Sequence, residues 1–80
     1  MTRLAITPAQ CRAARGLLGI KRAQLSGLAV VPRVVIEDFE ADGTMPSRDY
    51  PAALRQALEQ AGVIFIDEDG SGGPGVRLKR

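Results

Sequence analysis

The chain has 80 residues, 45% hydrophobic and 25% charged, as is typical of one small soluble domain, and its net charge of +2 is by itself a weak argument for a polyanionic partner. One cysteine and no histidine exclude an intramolecular disulfide and an ordinary zinc site, so we expect no metal and no cofactor. The first residues lack a signal-peptide core and no apolar run is long enough to span a bilayer, so we expect a cytoplasmic protein without membrane contact.

A first helix is predicted to begin at Thr7 and to end at Gly19. Thr7 is followed by Pro8 and, three positions on, by Gln10. These residues have the arrangement of a hydroxyl cap, a first-turn proline and a capping-box partner. Glycine at position 19 favours the end of that helix.

Cys11 is predicted to face the core from this helix. It lies at the second position of a hydrophobic staple with Ile6, and Cys11, Ala14 and Leu18 recur at helical spacing. This pattern indicates a buried structural thiol, and a reactive or metal-binding thiol is the alternative.

A second, short helix is predicted over residues 21 to about 28. Ala23 and Leu25 are expected to face inward, and the apolar residues 29 to 31 form a connection before Pro32. Because proline is favoured in the first turn of a helix, Pro32 marks the start of the next one.

The third helix is predicted over residues 32 to 40. Apolar side chains recur at Val35 or Ile36 and at Phe39, which gives the helix one buried stripe. We expect it to end near residues 42 and 43, and residues 41 to 48 have the composition of a loop.

A fourth helix and a β-hairpin complete the chain. Asp49 is predicted to cap the helix, with Pro51 in its first turn and Gly62 at its end. Residues 63 to 67, which are mostly β-branched or aromatic, are predicted to pair antiparallel with residues 75 to 79. The inward face of the fourth helix is formed by Tyr50, Leu54, Ala57, Leu58 and Ala61.

Residues 67 to 74 have the composition of the hairpin's turn. The DEDG segment at 67 to 70 resembles part of a calcium loop but lacks the remaining ligands. The GSGGPG segment at 70 to 75 leads into a strand rather than a helix, which is the wrong context for a phosphate-binding loop. A solvated turn is therefore predicted for both segments.

Charge is distributed unevenly along the chain. Residues 1 to 33 hold six cations and no acid, whereas residues 34 to 69 hold nine acids and two arginines. A basic first half is the electrostatic pattern expected of a DNA-binding protein, and an ordinary solvated pattern is the alternative.

Residues 15 to 46, RGLLGIKRAQLSGLAVVPRVVIEDFEADGTMP, resemble the XRE family of lambda-repressor-like helix-turn-helix proteins. Residues 57 to 80 resemble small regulators of that family whose fourth helix runs into a short hairpin. The resemblance implies a mainly α single domain over residues 1 to 80, with a bundle of four to five helices at 7 to 62 and a C-terminal antiparallel β-hairpin at 63 to 80. The matching positions are Arg15, Leu18-Gly19, Ala23-Gln24-Leu25 and Ile36-Glu37-Asp38-Phe39-Glu40.

The resemblance also implies roles for individual residues in binding DNA. Family members contact phosphates from the start of the second helix, which here carries Lys21 and Arg22. The base-contacting positions of the third helix hold an arginine, a valine and two acids, namely Arg33, Val34, Glu37 and Asp38. The arginine suits a guanine edge and the valine a thymine methyl. The two acids either contact bases or are solvated helix residues, because phosphates repel them.

Two further features follow from the comparison with the family. An ion pair between the first and third helices is implied at Arg15 and Glu40. The turn position that usually holds glycine is Val30, and Ser26 replaces a small alanine. Because valine resists a positive φ, we expect the connection to follow a different backbone path.

The implied function is sequence-specific DNA binding by a homodimeric transcriptional regulator, a repressor or autorepressor on a near-palindromic operator. No enzymatic activity is expected, because the chain has no histidine, no paired cysteine and no nucleophile motif. The alternative is a domain that mainly binds another protein, such as an activator, an antirepressor or a toxin. Its basis is an apolar set at Leu28, Val30, Val31, Val34 and Val35.

The C-terminal hairpin is the predicted dimer interface, because both of its faces are apolar. Packing one face on the fourth helix leaves the other exposed, and an edge strand carries unpaired backbone groups. A symmetric partner would cover both, and shielding by the first and fourth helices within a monomer is the alternative. The predicted interface residues are Val63, Ile64, Phe65, Ile66, Val76 and Leu78.

Overall fold

The computed structural model describes residues 6 to 80, which form four helices followed by a two-stranded antiparallel hairpin. The elements are α1 (Pro8–Leu18), α2 (Arg22–Ala29), α3 (Arg33–Asp42), α4 (Asp49–Ala61), β1 (Val63–Ile66) and β2 (Gly75–Leu78). This order confirms the mainly α architecture with a C-terminal hairpin that was predicted from the sequence. No helix in this part of the chain is both long and apolar enough to cross a membrane.

The start of α1 is closed by the predicted capping box. Thr7 Oγ1 accepts a hydrogen bond from the Gln10 amide at 3.0 Å, and Gln10 Oε1 accepts from the Thr7 amide at 2.9 Å. The Gln10 side-chain nitrogen also donates to the carbonyls of Ile66, at 3.3 Å, and Gly75, at 2.9 Å, which face each other in the hairpin. One buried glutamine therefore both caps α1 and fixes the hairpin to it.

The connection between α2 and α3 passes through a valine in the left-handed conformation. Val30 has φ 56° and ψ 48°, values that glycine favours, so the expectation that a valine would force a different path is wrong. The Ser26 carbonyl accepts from the Val31 amide at 3.2 Å, and the Ser26 hydroxyl donates to the Val31 carbonyl at 2.6 Å. Together with the burial of Val31, these bonds hold the strained residue in place.

All six elements contribute to one hydrophobic core. Cys11 is fully buried in it, as predicted. Ala23 and Ala61, predicted to face inward, are exposed because each lies in a terminal turn, beyond the side chains that pack between the helices. The core residues are Ile6, Cys11, Ala14, Leu25, Val31, Ile36, Phe39, Leu54, Ala57, Leu58, Val63 and Phe65.

The start of α4 differs from the prediction by one residue. Asp49 is the first helical residue rather than the cap, and Arg48 occupies the cap position. The Ser47 hydroxyl accepts from the Asp49 amide at 3.2 Å, which supplies one of the bonds that a capping side chain would otherwise make.

The hairpin forms with the predicted pairing of its two segments. Val63 lies opposite Leu78 at one end and Ile66 opposite Gly75 at the other. Asp69 organises the turn, because its Oδ1 accepts from the amides of residue 71, at 2.7 Å, and residue 72, at 3.1 Å. The acidic segment therefore stabilises the turn through hydrogen bonds from the turn's own backbone amides.

Candidate nucleic-acid interface

Glu40 on α3 is a buried carboxylate that receives hydrogen bonds from neighbouring helices. It is 2% exposed, on the same side of α3 as the core residues Ile36 and Phe39. Arg15 of α1 donates from Nε to Oε2 at 2.7 Å and from Nη2 to Oε1 at 2.6 Å. Arg15 and Glu40 are thus paired as the sequence predicted, in the two-point geometry that makes an arginine–carboxylate pair strong.

Three further donors surround Glu40. The Cys11 thiol donates to Oε2 at 3.1 Å, and Arg22 Nε, from the start of α2, donates to Oε1 at 3.0 Å. Arg12 donates to the Glu40 backbone carbonyl. Arg22 therefore has a structural contact in addition to any contact with DNA.

These contacts shift the pKa values of the ionisable groups in the cluster. Burial pushes the pKa of the Glu40 carboxyl upward, but the hydrogen bonds from Arg15, Cys11 and Arg22 outweigh it and hold the pKa below its usual value. The bond to Glu40 raises the pKa of Arg15 despite the opposing effect of burial. Burial, followed by the bond to Glu40, raises the pKa of the Cys11 thiol far above its usual range, so Cys11 is a neutral donor.

An open cleft beside this cluster is lined mainly by cations. We call it the basic cleft, and its lining residues are Arg15, Ile20, Lys21, Arg22, Ala23 and Arg33. Arg15 and Arg22 are paired with Glu40, whereas Lys21 and Arg33 are exposed and have no contact with it. The structure therefore brings together the three cations that were predicted to contact DNA.

Lys21 occupies the cap position of α2, yet its ammonium group is not used for capping. Gln24 Oε1 accepts from the Lys21 backbone amide at 2.8 Å and so closes the helix start. Within residues 6 to 80, no acid pairs with the Lys21 ammonium. The side chain is thus available to a phosphate at the mouth of the basic cleft.

The outer face of α3 carries the four predicted base-contacting residues. Val34 is 59% exposed, and Arg33 and Asp38 also face solvent. Arg33 Nε donates to Oε2 of Glu37, one turn further along the helix, at 2.9 Å. Glu37 is therefore engaged with the neighbouring arginine, while Asp38 has no such bond in the described part of the chain.

The apolar set around the connection is only partly buried. Val31 is a core residue and Val35 packs against the core. The other three members remain largely exposed: Leu28 at 57%, Val30 at 86% and Val34 at 59%.

The hairpin has a buried face and an outer face. Val63 and Phe65 are 1% and 7% exposed, inside the chain's own core, so these two residues of the predicted dimer interface are not accessible to a partner. Ile66 is 43% exposed on the outer face. The predicted interface residues that remain exposed or half-buried are Ile64, Ile66, Val76 and Leu78.

Comparisons with known proteins assign no family to the chain, since no family model and no curated protein matches it. Nor do any three His, Cys, Asp or Glu side chains among residues 6 to 80 come together in a way that could hold a metal ion. The basic cleft and the outer face of α3 are therefore the features of the molecule that indicate a function.

Three contacts of this region were not anticipated from the sequence: those of Cys11 and Arg22 with Glu40, and that of Arg33 with Glu37. Only the contact between Arg33 and Glu37 could have been predicted from the local sequence, because opposite charges four residues apart on a helix are neighbours. The first two depend on how three helices pack, which no local pattern specifies.

Proposed function

We propose that this chain is a helix-turn-helix DNA-binding protein that recognises a specific sequence and acts as a cytoplasmic transcriptional regulator. The observation that carries the proposal is the basic cleft, in which Lys21, Arg22 and Arg33 from the starts of α2 and α3 line one open surface. The two helices are joined by three residues, the arrangement of a helix-turn-helix unit.

The cations of the cleft have different roles in this proposal. Lys21 binds backbone phosphate, which adds affinity without sequence preference. Arg22 adds a second cation at the same edge, although its bond to Glu40 ties it to the fold. Arg33 extends from the exposed start of α3 into the major groove, where a guanidinium matches the two acceptors of guanine, and Val34 lies beside it to contact a thymine methyl.

A homodimer would place two copies of α3 in successive major grooves of a near-palindromic operator. We assign the dimer contact to the outer face of the hairpin and to its open strand edges. Ile64 and Ile66 lie on that face, with Ile66 43% exposed, and a two-stranded sheet leaves unpaired backbone groups on both sides. A second copy would cover both features, whereas Val63 and Phe65 stay in the monomer core. Leu78, which is 40% exposed, lies opposite Val63 and therefore on the other face.

The second candidate function is the binding of another protein through the same end of the domain. Exposure of Leu28, Val30 and Val34 favours it, because adjacent exposed apolar residues often mark a protein interface. The basic cleft beside them favours DNA instead. A DNA-binding measurement therefore separates the two functions.

A pool of randomised double-stranded oligonucleotides tests the proposal. Duplexes recovered with the full chain are sequenced, and the enriched duplex is titrated by fluorescence anisotropy. We expect a near-palindromic sequence with half-sites about 10 base pairs apart. Arg33→Ala should lose about 1 to 3 kcal/mol of preference at one base pair.

The matched control is Arg80→Ala, which removes the same charge just after β2, beside Leu18, Ala61 and Gly62 and away from α2 and α3. Its affinity and preference should equal those of the wild type. If the wild-type chain enriches no sequence and binds no duplex at low salt, the proposal is overturned and the protein-binding function is favoured.

A further inference from the structure

Arg33 and Glu37 form a pair on the outer face of α3 whose geometry differs from that of the Arg15–Glu40 pair at the cleft. Arg15 binds Glu40 through Nε and Nη2 together. Arg33 instead binds Glu37 Oε2 through Nε, at 2.9 Å. Both side chains are accessible, at 63% and 40% exposure, so a ligand can approach the pair from solvent.

A bond through Nε leaves the outer edge of the guanidinium open. An arginine has five N–H donors in a planar fork, and four of them are on the two terminal nitrogens. Those terminal nitrogens can donate to N7 and O6 of a guanine while Nε stays on the carboxylate. Glu37 thus holds the arginine at its inner edge and orients the edge that contacts the base.

We propose that Glu37 is a positioning residue for Arg33, which raises the preference for guanine at one base pair without contacting a base itself. This inference rests on the proposed function, because it assumes that Arg33 enters the major groove. It replaces the interpretation of Glu37 as a base contact. The stronger contact of Arg33 with guanine would also offset the repulsion between Glu37 and nearby phosphates.

The expected effect is small in free protein and larger on DNA. An exposed pair four residues apart on a helix is weak in water, because solvent screens both charges. In the groove water is displaced and the same bond is stronger, since the local dielectric constant is lower. The effect of Glu37 should therefore be seen in base preference rather than in stability.

Two duplexes measure this effect with the full chain. The first is the sequence enriched by the wild type, and the second replaces with adenine the guanine whose recognition is lost in Arg33→Ala. The base preference is the dissociation constant for the adenine duplex divided by the dissociation constant for the enriched duplex. This ratio is measured for the wild type, Glu37→Ala, Glu37→Gln and the control Asp42→Asn, which removes another exposed acid of α3 and keeps the oxygen that accepts from the Thr44 amide.

We expect Glu37→Ala to lower this ratio by roughly threefold to tenfold, while binding to the adenine duplex becomes tighter because an acid has been removed. Glu37→Gln keeps an oxygen that can accept from Nε, so it should retain most of the ratio. Asp42→Asn should tighten binding to both duplexes equally and leave the ratio at its wild-type value.

An unchanged ratio in Glu37→Ala overturns the inference. A raised ratio also overturns it, because Glu37 would then withhold Arg33 from the base. In either case the wild type still prefers guanine, so the proposed function stands. A wild type that binds both duplexes equally, or neither, overturns the proposed function together with this inference.

Discussion

At the scale of single residues, Glu40 determines how α1, α2 and α3 meet. Its carboxylate accepts from Arg15, Cys11 and Arg22, so a charge that is almost fully buried is hydrogen-bonded on both oxygens. No buried side-chain nitrogen or oxygen in residues 6 to 80 lacks a hydrogen-bond partner. Removing one donor therefore leaves a buried charge that is only partly compensated.

Arg15→Ala should lower the free energy of unfolding by about 2 to 3 kcal/mol, because two of the four donated bonds to a buried charge are lost. Arg33→Ala is the control, since it breaks an exposed pair and should change stability by about 0.5 kcal/mol or less. Urea denaturation followed by circular dichroism measures both. Equal midpoints for Arg15→Ala and the wild type would contradict the structural role of the pair.

Acid should destabilise the fold partly through Glu40. Its pKa is lower in the folded chain than in the unfolded chain, so the ionised form stabilises the fold. This contribution is complete above the unfolded pKa of about 4.3 and is lost as pH falls through the folded pKa. Hydrogen bonds from Thr44 lower the pKa of Asp42 in the same direction, but that effect is common to the wild type and to a Glu40 variant.

Glu40→Gln should therefore be less stable than the wild type at neutral pH and lose less stability below about pH 4. Urea midpoints measured across this range compare the two chains. Parallel curves for Glu40→Gln and the wild type would mean that the carboxylate does not contribute to the acid sensitivity.

At the scale of elements, the sequence predicted those parts whose signals are local. Thr7 with Gln10 predicted the start of α1, and the β-branched and aromatic run after Gly62 predicted the first strand of the hairpin. The left-handed conformation of Val30 was missed, because propensity alone argues against it and the bonds of Ser26 that enforce it are made only in the folded connection. The bond of Arg22 to Glu40 was missed because it depends on packing between helices.

Val30→Gly should raise the free energy of unfolding by about 0.5 to 1 kcal/mol, because glycine has no Cβ atom and adopts a positive φ without the clash between Cβ and the backbone. Little packing is lost, since Val30 is 86% exposed. The melting temperature should rise by about 2 to 8 °C. Val30→Ala keeps a Cβ atom and is the control, with a melting temperature close to that of the wild type. A lower melting temperature in Val30→Gly would show that the valine side chain itself stabilises the connection.

At the scale of the whole molecule, a chain of 80 residues buries only a limited hydrophobic core. A second copy of the chain that covers the exposed apolar side chain of Ile66 on the hairpin would add to the buried apolar surface. Ile66→Glu should yield a monomer, because it places a charge on that face. Leu28→Glu, which alters an exposed apolar residue on α2, should leave the dimer intact. Sedimentation equilibrium of the three chains decides the matter, and a monomeric wild type or a dimeric Ile66→Glu chain would contradict the assigned interface.

The central claim is that the basic cleft binds DNA phosphates, and the salt dependence of binding tests it most directly. The association constant of the full chain for its enriched duplex is measured by anisotropy over a series of salt concentrations. The logarithm of that constant should fall steeply with the logarithm of the salt concentration, and the slope should be shallower by about one unit in Lys21→Ala but unchanged in Arg80→Ala. An association constant that does not change with salt, or equal slopes for Lys21→Ala and the wild type, would contradict the claim.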